Sequence, residues 1–366
     1  MRITIPQPQL LKALQIVERA VNDRSTLPIL ANVLVETREH ELILTATDLD
    51  VGVQCRFPLS QPHEQGAVAL PARKLTTIVR ELSEETIVLE AKKNHAAVLT
   101  CGASSFRVPG LPPEDFPVLP AAGETGGVEI SQPALKRLVE QTADAMSMEE
   151  TRFILNGALL TTQRGALTMV ATDGRRLAIA SAPGVNPKTP IEVVLPAKTI
   201  RELGRLLQND EEGDVSIVPL KDRQLAIRFG AVAIVTRLVE GQFPQYEKVV
   251  PPPTKNTLTC DRQALVNATR RANLMTTATS QAVLFELSPG QLVVSKESAE
   301  LGSAREELPV AYTGEPMRIA FNPEFWLDAL KTLDTDEVTI EVSGADRPAV
   351  IRQPNFTYIV LPMKLT

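Results

Sequence analysis

Apolar residues recur three and four apart in PQPQLLKALQIVERAV near the N-terminus, again in SQPALKRLVEQTADAM from 131, and again in CDRQALVNATRRANLM from 260. That spacing predicts three amphipathic helices. Alternating, β-branched stretches split by turn residues follow each of them. They are LPILANVLVE and ELILTATDLDVGVQ after the first, RFILNGALLTT and GALTMVATDGRRLAIAS after the second, and QAVLFELS and QLVVSKES after the third. Such stretches read as strands joined in hairpins. A short strand, a proline and a second helix come next, in VALPARKLTTIVREL, VVLPAKTIRELGRLL and IAFNPEFWLDALKTL. Each cycle then ends in a run of strands, which in the first two copies continues into GLPPEDFPVLP and EGQFPQYEKVVP.

The cycle is a repeat with a measurable period. Thr47 to Pro71 and Thr172 to Pro196 each span 24 positions, and the two pairs are offset by 125. Leu135 and Leu265, 130 apart, carry the period into a third copy, where SKES stands in place of ATD and FNPEF in place of the LPA motif. A unit of this length is too long for a solenoid element and suits an independent domain. With linker-like GETGG at 123–127 and PPPTK at 251–255, repeated domains are expected at 1–125, 126–253 and 254–366.

Composition removes several function classes. No stretch approaches the 18 or so apolar residues of a membrane helix, and the N-terminus lacks the charged-then-apolar order of a signal peptide, so a cytoplasmic protein is expected. Cys55, Cys101 and Cys260 are far apart, and His40, His63 and His95 form no pair at metal-ligand spacing, so neither disulfides nor a metal or other cofactor is expected. GxSxG, HExxH, P-loop and GxGxxG motifs are all missing, which weighs against an enzyme. Asp48 and Asp173, after the two repeated threonines, could be catalytic acids. However, Asp173 sits in a DG pair between two alternating runs, a hairpin-turn signal, and the third copy has no equivalent aspartate.

The formal charge of −6 argues against a surface that attracts nucleic acid everywhere. Basic residues nevertheless collect on the helices, as Lys12, Arg19, Arg73, Lys74, Arg80, Lys136, Arg137, Lys198, Arg201, Arg205, Arg270 and Arg271, while acidic runs such as NDEEGD and TLDTDEV lie elsewhere. Solvated helix faces would explain any one of these. If the copies are related by rotation, corresponding helices would face a common axis and build a positive surface able to contact phosphates without reading sequence.

LPIL, ATDLD, LPARK, FRV followed by FP, LNG, ATDGRRLA, FP with Tyr246, and the ending YIVLPMKL together resemble the bacterial sliding-clamp family, the β subunits of DNA polymerase III, over essentially the whole chain. The resemblance implies three α+β processivity-fold domains per chain and two chains closing head to tail into a ring. Helices would line a central hole around duplex DNA, with antiparallel sheets outside. It implies a non-catalytic processivity factor whose partners are double-stranded DNA, a second copy, the polymerase III α subunit, an ATP-dependent clamp loader and other proteins bearing a clamp-binding peptide. By position, the peptide pocket would use Leu155, Thr172, Gly174, Arg175, Arg176, Leu177, Pro244, Lys248 and Val249, together with Asn322, Phe325, Pro348, Ile359, Leu361, Pro362 and Met363. DNA would meet Arg24, Arg73, Lys74, Arg80, Lys136, Lys198, Arg201 and Arg205, and Phe106 and Val108 would pack on Leu274 of the second copy. Arg175, Phe325 and Leu361 depart from the family pattern and should alter pocket detail; SMEETRFI and TTATS lack residues that would add DNA contacts. The alternatives are a pseudo-repeated enzyme using the Thr-Asp pairs, and a scaffold that never touches nucleic acid.

Overall fold

The computed structural model describes every residue except 23–24, 60–62, 84–85, 121–126, 186, 188–189, 210–212 and 365–366. The elements follow one recipe three times. The first copy runs β1 (Arg2–Pro6), α1 (Gln7–Val17), β2 (Asn32–Arg38), β3 (Glu41–Thr47), β4 (Val51–Pro58), β5 (Gly66–Pro71), α2 (Ala72–Glu81), β6 (Thr86–Ala91), β7 (Ala97–Cys101) and β8 (Ser104–Val108). The second runs β9 (Val128–Ser131), α3 (Gln132–Thr142), β10 (Gly157–Gln163), β11 (Ala166–Thr172), β12 (Arg176–Pro183), β13 (Glu192–Pro196), α4 (Ala197–Leu206), β14 (Asp214–Pro219), β15 (Gln224–Phe229) and β16 (Val232–Arg237). The third runs β17 (Thr257–Asp261), α5 (Arg262–Asn273), β18 (Val283–Ser288), β19 (Gln291–Ser298), β20 (Gly302–Pro309) and the extra β21 (Ala311–Tyr312). It ends with β22 (Met317–Phe321), α6 (Pro323–Lys331), β23 (Glu337–Val342), β24 (Ala349–Gln353) and β25 (Phe356–Val360).

Helix positions follow from which side chains can be buried. In α2 the buried residues Ala72, Leu75, Thr76 and Val79 recur at helical spacing, leaving Arg73, Lys74 and Arg80 exposed. Pro71 and Pro196 end their strands immediately before α2 and α4. In the third copy polar caps do that work: Asp261 accepts a hydrogen bond from the Ala264 amide and Asn322 accepts one from Glu324.

All pairings within the four sheets are antiparallel, and the sheets run in the orders β1-β6-β7-β8, β5-β2-β3-β4-β16-β15-β14-β9, β13-β10-β11-β12-β25-β24-β23-β17-β21 and β20-β19-β18-β22. The two large sheets each join two copies edge to edge. β4 pairs with β16, Val232 opposite Cys55, and β12 pairs with β25, Phe356 opposite Ala180. These joined sheets cut across the repeat. The chain gathers into two compact units, one of Met1–Gln132, Pro187–Thr189 and Gln208–Leu238, the other of Pro133–Asn186, Pro190–Leu207 and Val239–Thr366. The strands of the middle copy therefore pack with whichever neighbour completes their sheet.

The third copy shows what SKES does. Lys296 stands in the strand corresponding to buried Ala46 and Ala171, is itself buried, and donates to Ser280 Oγ at 2.7 Å; desolvation pulls its pKa below the usual lysine range. The three cysteines are buried and free, and burial pushes the Cys55 and Cys260 thiols up to about 12.

The chain's three tyrosines, Tyr246, Tyr312 and Tyr358, all have raised pKa values because burial disfavours the phenolate, Tyr246 reaching about 12. A folded pKa above the unfolded one of about 10 gives stability that is complete below that pH and is lost as pH rises through the folded value. Ultraviolet difference titration of the folded protein should therefore show no tyrosinate step near pH 10, with ionisation arriving together with alkaline unfolding. A titration step near pH 10 with native circular dichroism would contradict this burial.

Candidate functional site

The two Thr-Asp turns are built from the same bonds. Thr47 Oγ1 accepts from the Leu49 amide and donates to the Val51 carbonyl, while Asp48 Oδ1 accepts from the amides of Asp50 and Val51. Four corresponding bonds recur 125 residues later. Thr172 Oγ1 accepts from Gly174 and donates to the Arg176 carbonyl, and Asp173 Oδ1 accepts from the amides of Arg175 and Arg176 at 2.8 and 3.0 Å. The turn needs a left-handed residue two places after the threonine, where Leu49 has φ 81 and Gly174 φ 88. These carboxylates are turn caps, each satisfying two backbone donors that a tight hairpin would otherwise leave open.

Asp173 has a second task. Its Oδ2 accepts from Arg176 Nε at 3.1 Å, and the Arg176 side chain, 11% exposed, reaches on to Asp328 Oδ2 at 2.7 Å, Tyr358 Oη at 3.2 Å and the Asp144 carbonyl. Its guanidinium carbon also lies 4.4 Å from the centroid of the Phe325 ring. Burial alone would lower this guanidinium's pKa, but Tyr358, Asp328 and Asp173 more than offset it and raise the value. Asp328 is shared with Lys331, which also pairs with Asp144 at 2.7 Å. A side chain expected to line a pocket is thus a buried fork that ties the turn after β11 to α6 and β25.

Above this fork, Leu177 and Ile359 lie opposite each other on β12 and β25 and belong to one apolar cluster with Leu159, Val170, Val194, Phe243 and Val350. Leu155 packs against it. So do Ile154, Ile179, Val239 and Val250, and Tyr246 of the FP motif; the Phe-Pro tail repeated after each of the first two copies is the sequence signal for this packing. That tail is a strap, pinned where the Val239 amide donates to the Val194 carbonyl. Val249 and Leu361 are exposed at 63% and 41%, and Pro244 and Lys248 are also on the surface. Thr172, Pro348, Pro362 and Met363 are half-buried, and Gly174 and Arg175 are exposed. Leu361 is drawn to β12 by its amide, which donates to the Arg175 carbonyl, and Met363 donates to Ala320 beside α6. Asn322 and Phe325 are buried: the first caps α6 and contacts Gln281, the second lies against Arg176. The arrangement is a surface of exposed apolar and polar side chains over a packed apolar floor, suited to anchoring bulky side chains of an extended peptide. Among the described residues, no group of three or more His, Cys, Asp and Glu side chains is placed to hold a metal ion, and no helix is long and apolar enough to cross a membrane.

Matches to the DNA polymerase III beta subunit run the length of the chain: its N-terminal domain over residues 1–120, its central domain over 129–245 and its C-terminal domain over 247–364. The chain belongs to that family. The beta sliding clamp of Pseudomonas putida is 35% identical over 370 residues and that of Chlamydia muridarum 32% over 367, with 99% or more of each chain covered. Among solved structures, the DNA polymerase III subunit beta of Pseudomonas aeruginosa superposes with a TM-score of 0.93 at 34% identity, over all of both chains. Another structure from that species, with a TM-score of 0.94 at 34% identity over all of both chains, is of the clamp bound to griselimycin. Members of this family are non-catalytic processivity factors of DNA replication, and three sliding-clamp domains make up this chain.

The helix cations expected to meet DNA divide into several groups. Arg73, Lys74 and Arg80 are exposed along α2. Lys136 lies 3.9 Å from Glu140, Arg205 pairs with Glu202 at 2.8 Å, Arg201 contacts Met148 Sδ, and Lys198 is half-buried. A cleft of about 490 Å³ between α3, α4 and the end of α6 gathers Arg201, Arg205 and Lys331 with Glu140 and Asp144. Arg24 lies outside the described residues. At the expected subunit contact, Phe106 and Leu274 are exposed at 39% and 68%, whereas Val108 is 3% exposed and already belongs to its own core.

Removing the Arg176 fork leaves Asp173 and Asp328 without their shared cation in a partly buried place. Arg176→Ala should cost on the order of 3 kcal/mol in chemical denaturation, and Arg176→Lys should recover only part of it, because an ammonium cannot reproduce the planar fork. A loss below about 0.5 kcal/mol would show that the fork does not hold this junction.

Proposed function

We propose that two copies of this chain close head to tail into a ring around duplex DNA, that the ring slides and tethers the replicative polymerase, and that partners dock by short peptides on the Leu177–Ile359 surface. The observation carrying this reading is a junction made twice with one left over. β4 and β12 are corresponding edges, as are β16 and β25, and the pairs β4·β16 and β12·β25 share one antiparallel arrangement. The corresponding edges left open are β8 and β20. An exposed edge invites pairing, and β8 of one copy against β20 of the other makes the same junction a third time. Doing so twice closes a dimer without free edges of this kind. Phe106 on β8 and Leu274 after α5 supply apolar contact, and Arg305, Glu306 and Glu307 on β20 face a strand carrying Arg107. Domain boundaries stay near 125 and 253, where the repeat places them, and a replication clamp of this kind works in the cytoplasm.

Phe106→Asp combined with Leu274→Asp should yield folded monomers by light scattering. A dimer at unchanged concentration dependence would remove this edge pairing from the reading.

In such a ring Arg73, Lys74, Arg80, Lys136, Lys198, Arg201 and Arg205 would face DNA, and Arg24 is assigned there by resemblance alone. Contacts of this kind are exchangeable and weaken steeply between about 50 and 200 mM salt. Retention must then be topological. Clamps loaded by a cognate loader onto nicked circular DNA should remain in high salt and be released when the circle is cut. Equal retention on linear DNA with open ends would return the scaffold reading.

A further inference from the structure

The β4·β16 junction has a counterpart of the Leu177–Ile359 surface, and the chain's own strap lies across it. On β4, Gly52 lies opposite Thr47 on one side and Val235 on the other; on β12, Leu177 lies opposite Thr172 and Ile359. Gly52 therefore stands where Leu177 stands. A cavity of about 110 Å³ at that place is lined by Thr47, Leu49, Asp50, Gly52 and Val235, the counterparts of Thr172, Gly174, Arg175, Leu177 and Ile359. Both places are crossed by a strap pinned at the same point of its sheet. In the first copy Leu111 pairs with Ala69, and in the second Val239 bonds to Val194, 125 residues beyond Ala69.

The two straps differ in how deeply they sit. A Cβ added to Gly52 would lie 2.4 Å from Leu119 Cδ2 and 2.7 Å from Cδ1. Leu119, from the strap, thus fills the volume that a side chain on β4 would need, whereas on β12 Leu177 provides that side chain. The neighbouring groove, of about 1030 Å³, continues along the same sheet over Leu34, Ile43, Ala67 and Val235, with Val118 of the strap 93% exposed at its edge. Its rim charges Glu36 with Arg38 and Glu41 with Arg56 are already paired.

We infer that the first junction is a groove for the same class of ligand, an extended peptide with a bulky aliphatic anchor, held closed by Leu119 acting as an internal ligand in the space Gly52 leaves. This inference rests on the peptide-surface reading of the second junction. The choice of glycine or leucine at this one strand position decides whether the junction receives its own strap or a partner's peptide. Each chain consequently presents one peptide site in place of two.

Isothermal titration of the full-length dimer with a glutamine-containing hexapeptide bearing leucine and phenylalanine tests both readings separately. The unmodified protein should bind one peptide per chain, and Leu361→Asp with Met363→Asp should abolish that binding. No binding to the unmodified dimer would overturn the peptide-surface reading itself. Leu119→Ala should add a second site, within about a hundredfold of the first in Kd, that persists when Leu361→Asp and Met363→Asp are added. If Leu119→Ala destabilises the fold, Gly52→Ala with Leu119→Ala keeps the local volume balanced and should show the same second site. A folded Leu119→Ala or double variant that still binds one peptide per chain would overturn the inference while leaving the second-junction site intact.

Discussion

Main-chain pairing at the ends of sheets is the constraint on which the rest of this protein depends. A β-strand left at an edge presents unpaired amides and carbonyls. Each copy of the repeat has two edges of the kind that join copies, those corresponding to β4 and to β16, and the chain satisfies four of these six through β4·β16 and β12·β25. Those joints also bring residues of different copies side by side: Leu177 meets Ile359, Gly52 meets Val235, and Arg176 comes within reach of Tyr358 and Asp328. The proposed peptide surface therefore lies at a joint and not within any one copy. The remaining two edges of this kind, β8 and β20, are what a second copy is proposed to complete.

A joint made only of backbone pairs would be free to slip by one step, which would exchange every inward and outward side chain. The second joint resists this through Arg176. Its guanidinium is directed at once by Asp173 in the turn, Asp328 on α6 and Tyr358 on β25, so the register of β12 on β25 and the placement of α6 are fixed together. The cost of desolvating such a charge is high unless every partner is present. Thr172 and Asp173 hold the turn from which it departs, which gives the repeated aspartate a purpose without catalysis.

Charge is arranged around the same framework. The chain is acidic overall, while α2 keeps three cations exposed, and those of α3 and α4 are partly moderated by Glu140 and Glu202. In the proposed ring, cations moderated in this way would suit a clamp that stays on DNA while moving along it, because strong phosphate contacts would oppose sliding.

Much of this was legible from residues alone. Helical and alternating periodicities placed the strands and helices, the 125-residue offset exposed the repeat, and the DG pair marked a turn, because each depends only on neighbours along the chain. Burial is a different matter. Arg176 reads as a pocket-lining cation and is a largely buried fork; Val108 reads as a contact residue and is core; Phe243 and Tyr246 read as a motif whose packing onto the β12·β25 joint only the fold reveals; and nothing near Gly52 announces that Leu119, 67 positions away, fills its missing side chain. Local pattern fixes which elements form and which face of each is apolar. Only the tertiary structure decides which edges meet, and with them which charges lose their water and which hollows remain open, since those depend on partners that the folded sheets bring together from distant parts of the chain.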